Sequence, residues 1–210
     1  MGRAAECPRC GSALRAPSAF SSDWRCLVHG TVAPLHLIRD SGPDAVEHLL
    51  DRCALPCWML SPLPAYWQLA GLGYVGTDRD RGCASLVASS GPAPLGGVAD
   101  LLLICEEPGV GLGAGYAGLK EPDPGPIPDL VRATTVEIGG HPTALWTVPG
   151  PDDRAVMVGE ARGLWLWAIL WPAVAGYLLA EDVGLVDLHE TRPASASAGA
   201  HSPYLLRSAT

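Results

Sequence analysis

The chain has 210 residues, of which 48% are hydrophobic and 17% charged, and its formal net charge at pH 7 is −8. This hydrophobic fraction is typical of a chain that folds around a core, so disorder along the whole length is excluded. The acidic balance excludes a general affinity for nucleic-acid backbones, which depends on lysine and arginine. The 25 glycines and 20 prolines favour strands and tight loops over long helices.

Charge is unevenly distributed along the chain. Residues 1–38 carry four arginines against two acidic residues, whereas the remaining residues carry ten basic and twenty acidic ones. The head therefore has a net charge of +2 and the rest of the chain −10. Only the head could meet an anionic partner, although four arginines make a weak patch.

The first thirty residues contain no continuous apolar stretch, so we expect no signal peptide and a cytoplasmic location. Three charge-free tracts, 53–77, 82–99 and 163–180, are long enough to be considered as membrane spans. Prolines interrupt all three tracts, since even the last contains Pro172. We therefore expect no transmembrane span.

Two short turns near the start of the chain have the spacing of a zinc site. Each contains two possible ligands with two residues between them, and fifteen residues separate the turns. The glycines that follow, Gly11 and Gly30, allow the backbone to leave each turn in a conformation closed to other residues. Four ligands complete the tetrahedron of a structural zinc ion and leave no position for water. The predicted zinc ligands are Cys7, Cys10, Cys26 and His29.

One alternative interpretation of the head is two thiol-containing turns that bind no metal. A second alternative is a catalytic zinc site. Without a metal, residues 1–38 have too few apolar side chains to fold unaided. We therefore predict one structural Zn²⁺ ion at the centre of a small zinc ribbon.

The remaining cysteines lie among apolar residues. Cys53 and Cys57 are spaced C-x3-C, whereas Cys83 and Cys105 are isolated. Apart from His48, no histidine or acidic residue lies at ligand spacing from them. We predict buried thiols, since free cysteine behaves as a small hydrophobic residue.

Residues 44–190 have a pattern that favours strands. The apolar positions from Ala45 to Cys53 recur at helical spacing and predict one amphipathic helix, with a cap at Ser41 or Asp44. Glycine and proline then separate strand-like runs, and most links between them are too short for crossover helices. The predicted class is α+β, with a zinc ribbon followed by a mainly antiparallel sheet and one or few helices. The predicted strands are 67–75, 84–89, 101–106, 135–138, 143–148, 155–160, 164–171 and 177–188.

The run 164–171 alternates between two apolar faces. Trp165, Trp167 and Trp171 fall on one face, and leucines and an alanine fall on the other. A strand buried on both sides explains this pattern better than an aromatic wall for a ligand or an exposed partner surface.

Gly113-Ala-Gly115-Tyr-Ala-Gly118 matches the dinucleotide fingerprint G-x-G-x-x-G. That fingerprint requires a helix whose N-terminus receives the pyrophosphate. Residues 106–109 separate the preceding strand from the glycines, and four prolines follow within 122–128. We therefore predict that no helix forms there and reject dinucleotide binding. A flexible connection is favoured, and a Gly-rich loop lining a pocket remains as the alternative.

No other catalytic signature is present, since the sequence contains neither G-x-S-x-G nor H-E-x-x-H. Glu160 and Arg162 are the best candidate pair for a cleft, because a carboxylate and a guanidinium two positions apart at a hairpin tip share one face. The alternative is that they are ordinary turn residues without a function.

Residues 191–210 are of low complexity and are predicted to form a flexible tail. Within this tail, residues 202–207 regain apolar character and are expected to dock on the body or to engage a partner. The predicted organisation is a zinc ribbon (1–38), a linker (39–43), the β-rich α+β domain (44–190) and the tail (191–210).

Several motifs together resemble an uncharacterised family of actinobacterial proteins. They are the Cys-Pro-Arg-Cys-Gly head, the Gly- and Pro-rich runs 91–97, 108–113 and 122–126, Gly-Glu-Ala-Arg-Gly-Leu-Trp-Leu-Trp at 159–167 and Leu-Trp-Pro at 170–172. The resemblance covers nearly the whole chain except the tail. It implies a zinc ribbon fused to a domain of unknown function and supplies no catalytic residue. Some members carry the label phosphotransacetylase, but that enzyme is a larger α/β protein whose acyl-CoA and phosphate sites this chain does not resemble.

Two hypotheses of function follow. The leading one is a non-enzymatic adaptor or regulatory module whose ribbon contacts a protein partner. The alternative is a small-ligand-binding protein or enzyme that uses loop 109–118, and a cavity shared by that loop and the hairpin pair would favour it. The predicted ligand-binding residues are Gly111, Gly113, Gly115, Glu160 and Arg162.

Overall fold

The computed structural model describes residues 5–19, 21–38, 42–180, 183–191 and 199–206. These residues form a mostly antiparallel β structure with few helices and a cysteine-rich N-terminal unit, which confirms the predicted class. None of the helices in these ranges is long and apolar enough to cross a membrane.

The strands and helices of the described ranges are numbered here in chain order. The strands are β1 (Arg25–Cys26), β2 (Gly30–Thr31), β3 (Leu35–Ile38), β4 (Trp58–Ser61), β5 (Gln68–Val75), β6 (Ala84–Pro92), β7 (Val98–Glu106), β8 (Val131–Ile138), β9 (His141–Thr147), β10 (Ala155–Ala161), β11 (Leu164–Trp171) and β12 (Gly184–Asp187). The α-helices are α1 (Pro43–Arg52) and α2 (Leu112–Ala117), and 3-10 turns lie at Ile127–Asp129, Ala173–Ala180 and Pro203–Leu205.

Ten strands form one sheet in the order β3-β5-β6-β7-β11-β10-β9-β8-β12-β4. Two antiparallel meanders, β5 to β7 and β8 to β11, meet where β7 pairs with β11. Strand β12 pairs with β8 in parallel and carries β4 on its other edge. Short links explain the meanders, since antiparallel neighbours need only a tight turn between them.

Strand β11 is buried on both faces, as its apolar alternation predicts. Trp167 and Ile169 lie in the core that also contains α2, whereas Leu166 and Ala168 lie in the core on the opposite face. Trp167 is 0% exposed, and Trp165 packs partly buried at the edge of the first core. The tryptophans therefore fill a core and do not form an open aromatic wall.

Helix α1 covers one part of the sheet with its apolar stripe. Ala45, Val46 and Leu49 are buried in a third core with residues of β5. The N-cap is Gly42, which offers no side-chain hydrogen bond, and Asp44 lies inside the first turn. The other predicted cap, Ser41, lies outside the described residues.

Two segments differ from the predicted strands. The predicted strand 177–188, with its interruption at Glu181 and Asp182, starts as the 3-10 turn Ala173–Ala180, and among its described residues only Gly184–Asp187 form a strand. Ala175, Leu178 and Leu179 fill the second core from this compact turn. A run that is apolar on all sides does not distinguish a strand from a turn or helix, which explains this error. Strand β4 was not predicted because prolines surround its apolar residues.

The C-terminal segment (residues 199–206) docks on the body. Leu205 is 4% exposed, and its carbonyl oxygen accepts a hydrogen bond of 3.0 Å from the Tyr116 hydroxyl. A Cβ at Gly71 would overlap the Leu205 side chain, so glycine leaves the space that Leu205 fills. Residues 202–207 were expected either to dock on the body or to engage a partner. Residues 202–206 dock on the body, and Arg207 lies outside the described residues.

The chain passes directly from the ribbon into the edge of the large sheet. Strands β1 and β2 form a separate two-stranded hairpin, and β3 then pairs with β5. The Leu35 amide also donates to the carbonyl of Glu6 at 2.8 Å. The ribbon is therefore attached to the body through β3.

Candidate functional site

The N-terminal ribbon contains two tight turns that face one another. In the first turn, the Gly11 amide donates to the Cys7 carbonyl at 2.9 Å, and Gly11 has a φ of 71°. In the second turn, Cys26 lies opposite Gly30, whose φ is also 71°. Positive φ values of this size favour glycine, which explains why a glycine follows each pair of ligand residues.

The two turns bring Cys7, Cys10, Cys26 and His29 into one cluster whose ligand atoms all lie within 4.8 Å of one another. Sγ of Cys7 is 3.6 Å from Nδ1 of His29. Sγ of Cys26 is 3.7 Å from that nitrogen and 3.7 Å from Sγ of Cys10. These residues could therefore hold a metal ion, with Nδ1 as the histidine donor.

The cluster is partly shielded from water. Cys7 and Cys26 are buried, and Cys10 and His29 are half-buried. Burial raises the pKa of the Cys7 thiol to about 12. Burial acts in the same direction on Cys10, but hydrogen bonds with Ser12, Cys26 and Cys7 together outweigh it and lower the pKa of Cys10 to about 6. A divalent cation at the centre would stabilise the thiolate form of all three sulfur ligands.

Few apolar side chains support the ribbon. Leu14 packs against the two buried cysteines, and Trp24 and Val32 cover this group only in part. A cluster of this size is too small to hold such a unit together by hydrophobic burial alone. The four ligand residues therefore occupy the position that a hydrophobic core occupies in the body.

The first turn of the ribbon contacts the body through Arg9. Its Nε donates to the carbonyl of Val110 at 3.1 Å, and its Nη2 donates to the carbonyl of Gly109 at 2.6 Å. A Cβ at Gly111 would lie 3.0 Å from Cγ of Arg9, and the φ of Gly111 is 80°. Glycine is therefore favoured there for both space and conformation, and the first turn of the ribbon lies against the Gly-rich loop.

The Gly-rich segment contains a helix, and the prediction that none forms there is wrong. Helix α2 is bounded by Gly111 and Gly118, which both adopt the left-handed conformation. The prolines follow only after Gly118, so they do not interrupt α2. Most of the helix is buried, and a Cβ at Gly113 would overlap the ring of Trp167. The segment is thus a packed part of the core and not a flexible connection.

A carboxylate of the protein itself occupies the N-terminus of α2. Glu106, at the end of β7, is 0% exposed and accepts hydrogen bonds from the amides of Leu112 at 2.6 Å and Gly113 at 3.1 Å. Burial raises the pKa of Glu106 to about 7, although these two hydrogen bonds act in the opposite direction. In a dinucleotide site, such amides bind the pyrophosphate. This geometry supports the rejection of dinucleotide binding, although the reason given from the sequence was wrong.

The β10–β11 hairpin places Glu160 and Arg162 at an exposed position. Arg162 and Gly163 form a two-residue turn with φ values of 60° and 77°, as in a type I′ turn. Among the described residues, no ion pair joins Glu160 to Arg162. Cavities of about 430 and 300 Å³ touch loop 109–118, and Gly115 lines the larger, but neither is lined by the hairpin pair.

Asp187 and His189 form a polar cluster that the sequence analysis missed. Oδ1 of Asp187 accepts hydrogen bonds from the amides of Cys57 and His189 at 3.0 and 3.1 Å, and it lies 2.9 Å from Nδ1 of His189. Nε2 of His189 lies 3.1 Å from the carbonyl oxygen of Cys53. Cys53 and Cys57 are fully buried, as predicted. The contacts with Cys57 and Cys53 join residues 130 and 136 positions apart, so local spacing carries no signal for them.

The second turn of the ribbon exposes two apolar side chains between the metal-ligand candidates Cys26 and His29. Leu27 is 92% exposed and Val28 is 75% exposed. A single exposed apolar residue is ordinary, whereas this adjacent pair forms a small exposed apolar surface on the turn. This pair is called the apolar tip below.

Comparison with family models assigns the chain to a family. A model described as "Family of unknown function (DUF6758)" matches residues 1–205. The chain belongs to DUF6758. The DUF6758 match covers the ribbon, the sheet and the C-terminal segment up to Leu205, so all three are parts of one family unit. It confirms the resemblance to a family of unknown function, and its description names no metal, source or activity. Comparison with curated proteins found no match, and comparison with solved structures found none either.

Proposed function

We propose that this DUF6758 protein is a non-enzymatic cytoplasmic adaptor or regulatory module that carries one structural zinc ion and contacts a protein partner through its ribbon. One observation carries the proposal, namely that the two turns of the ribbon have opposite surroundings. The first turn is hydrogen-bonded to the body through Arg9, whereas the second exposes Leu27 and Val28. A metal site with an apolar outer surface suits binding of another protein.

The dimensions of the cluster support zinc as the metal. With Zn–S bonds of about 2.3 Å and Zn–N bonds of about 2.0–2.1 Å, a tetrahedron has S···S edges of roughly 3.8 Å and S···N edges of roughly 3.6 Å. The Sγ atoms of Cys10 and Cys26 are 3.7 Å apart, and the sulfur–Nδ1 distances to His29 are 3.6 and 3.7 Å. Three thiolates and an imidazole also form a donor set that zinc prefers. Four protein ligands leave no position for a reacting water, so the ion would have a structural role.

In this proposal, residues 1–38 form the metal-binding unit, 44–190 the body and 191–210 the tail. Strand β3 and Arg9 hold the unit against the body. A unit held in this way presents the apolar tip in one orientation. Preorganisation of this kind reduces the entropy lost when a partner binds.

The alternative function, ligand binding or catalysis by loop 109–118 with Glu160 and Arg162, has less support. A ligand site needs polar groups that converge on a cavity. The amides at the start of α2 are bonded to Glu106, and the packing of α2 against Trp167 explains a glycine in the loop. Because the hairpin pair is exposed, the adaptor function is favoured.

The zinc and the partner contact can be tested separately. Elemental analysis should find about one zinc per purified chain. Protein made with ample metal that contains no zinc would contradict the first part of the proposal.

For the contact, the double variant Leu27→Ser with Val28→Ser should keep its zinc and its fold, because both side chains are exposed. The matched control is Leu95→Ser with Val98→Ser, since these residues of the β6–β7 hairpin are 70% and 72% exposed. Quantitative mass spectrometry after native affinity capture should find proteins retained by the wild type and the control but lost from the tip variant. Equal recovery with all three proteins, or enrichment of small molecules alone, would contradict an adaptor function.

A further inference from the structure

We propose that the partner presents an acidic segment with apolar side chains, and that Arg15, Arg25 and the apolar tip bind it together. This inference rests on the proposed function, because it names the chemistry of the partner that the ribbon contacts. It uses a pair of arginines that neither the metal site nor the contact with the body explains.

The two arginines lie directly opposite one another. Arg15 and Arg25 form an antiparallel bridge in which each amide donates to the other's carbonyl, at 2.9 and 3.1 Å. Side chains of residues directly opposite in such a pair lie on the same face, with Cβ atoms about 4.5–5.5 Å apart. The backbone therefore holds two positive charges side by side.

The hollow that both arginines line contains one acidic side chain, Asp23, against their two positive charges. Arg15 and Arg25 are exposed, and neither forms an ion pair with a described residue. Like charges directly opposite one another destabilise a strand pair, so this arrangement does not serve folding. A bound carboxylate would remove the repulsion and would accept hydrogen bonds from both guanidinium groups.

The hollow beside the pair offers room for such a group. It has a volume of about 320 Å³ and is lined by both arginines. Ser18 and Ser21, which lie between them in the chain, also line it, and Asp23 is its acidic member. The carboxylate of Asp23 accepts a hydrogen bond from the Ser22 hydroxyl at 3.1 Å. Serine hydroxyls next to two guanidinium groups suit the recognition of carboxylates.

The charged and apolar parts of the surface are adjacent in the chain. Arg25 belongs to β1, and the apolar tip begins directly after Cys26 in the same hairpin. A ligand that used both parts would need carboxylates close to aliphatic side chains. We infer an acidic amphipathic protein segment because its charge complements the arginines and its apolar residues complement the tip.

A nucleic acid fits this surface less well. The chain has a net charge of −8, which opposes a dense phosphate backbone more strongly than a peptide whose carboxylates alternate with apolar residues. The tip is aliphatic and lacks the aromatic side chains on which exposed bases stack. The surface therefore favours an acidic protein segment, and a nucleic acid becomes an outcome of the test.

The test uses zinc-loaded full-length protein and three labelled probes of equal length. The first is a peptide of alternating Glu and Leu, the second a peptide of alternating Lys and Leu, and the third an oligodeoxynucleotide. Fluorescence anisotropy gives the affinity, and NMR spectra of labelled protein show which amides respond. The variants are Arg15→Glu with Arg25→Glu and, as a control of equal charge change, Lys120→Glu with Arg132→Glu at exposed positions of the body.

The Glu–Leu peptide should bind the wild type and the control alike, shift the amides of the β1–β2 hairpin, and bind the ribbon variant at least about tenfold more weakly. The ribbon variant should instead gain affinity for the Lys–Leu peptide. No binding of the Glu–Leu peptide, equal loss in both variants, or tighter binding of the oligodeoxynucleotide would overturn the inference. Self-association of the protein that depends on Arg15 and Arg25, measured by sedimentation, would also overturn it in favour of a second copy as the occupant.

These results are separable from failure of the proposed function. If the tip variant loses its captured proteins while the arginine variant keeps them, the adaptor function stands and the acidic partner is wrong. If neither variant loses a captured protein, the adaptor function itself fails. Zinc content and circular dichroism of each variant confirm that a loss is not caused by unfolding.

Discussion

The ribbon and the body of this protein are held together in different ways. The ribbon has a small apolar group around Leu14, and four metal-ligand candidates converge at its centre. The body has a ten-stranded sheet with large cores on its two faces and a third core beneath α1. The ribbon should therefore depend on its metal and the body on its packing.

The two regions nevertheless share one contact surface. Arg9, between the candidate ligands Cys7 and Cys10, donates hydrogen bonds to the carbonyls of residues 109–110, and Glu106 accepts hydrogen bonds from the amides at the start of α2. The Gly-rich loop thus lies between a guanidinium from the ribbon and a carboxylate from the sheet. The ribbon and the body therefore have separate cores but are not separate units, because polar contacts with the backbone of one loop join the two regions.

The largest effect is expected from removal of a metal ligand. Cys10→Ser leaves three ligands and removes a thiolate, so the ribbon should lose its metal, which is the source of most of its folding free energy. Zinc content should fall from about one per chain to near zero, and the part of the ribbon before β3, residues 5–34, should become sensitive to protease. The body should stay folded because its cores contain none of the four ligands. A body transition that disappears together with the ribbon would show that the two regions fold as one.

The next effect concerns the core of the body. Trp167→Ala removes a fully buried indole that packs against Gly113, and truncation of a buried tryptophan typically costs about 3–5 kcal/mol. We expect a melting temperature lower by many degrees, or insoluble protein, measured by thermal unfolding. Trp24→Ala is the matched control, since this partly buried side chain packs in the ribbon and its loss should leave the body transition unchanged. An unchanged body transition in Trp167→Ala would contradict the role of this residue in the core.

The stability of the body should have a pH dependence of its own. Burial raises the pKa of Glu106 from 4.5 to about 7, so the folded state retains a proton that the unfolded state releases between these values. The contribution of this group to stability is fully present below pH 4.5 and is lost as the pH rises through about 7.

Glu106→Gln should remove this contribution, because glutamine does not titrate. Denaturant unfolding of the body between about pH 5 and pH 8 should give a free-energy difference, wild type minus variant, that falls as the pH rises. Glu160→Gln, at an exposed position, is the control and should leave the pH dependence of the wild type unchanged. Parallel pH profiles for the wild type and Glu106→Gln would contradict the buried titration.

The smallest effect is expected at the contact between the two regions. Arg9→Ala removes two hydrogen bonds from a charged group to backbone carbonyls, and we expect the docking of the ribbon to weaken by about 1–3 kcal/mol. Hydrogen exchange should become faster at residues 109–113, while zinc content stays the same. Arg15→Ala provides a control on the same ribbon, since Arg15 forms no contact with the loop. Equal exchange in all three proteins would show that Arg9 does not hold the ribbon in place.

Local patterns predicted much of the fold. The alternation in 164–171 predicted a strand with two buried faces, and the stripe from Ala45 to Cys53 predicted α1. Such patterns succeed because each side of a strand or helix meets one environment. They failed at Ala173–Ala180, where all side chains are apolar or small and no side is marked as the exposed one.

The Gly-rich segment was predicted wrongly for a different reason. Its composition is typical of a loop, and glycine lowers helix propensity by about 1 kcal/mol per residue. The helix forms because Glu106 caps it from the preceding strand and Gly113 fits closely against Trp167. The contact with Trp167 depends on where β11 lies, and Glu106 lies outside the segment, so the propensities of the segment itself could not reveal either contact.

The metal-ligand candidates could be predicted from local sequence alone. Two residues separate Cys7 from Cys10 and Cys26 from His29, and a tight turn brings the members of each pair together. The sequence also determined the two-faced strand 164–171 from alternation alone. The sequence did not show which turn of the ribbon forms hydrogen bonds with the body and which exposes the apolar tip. This depends on the tertiary structure. That choice depends on the meeting of Arg9 with backbone carbonyls a hundred residues away, and such a contact is set by the packing of whole elements.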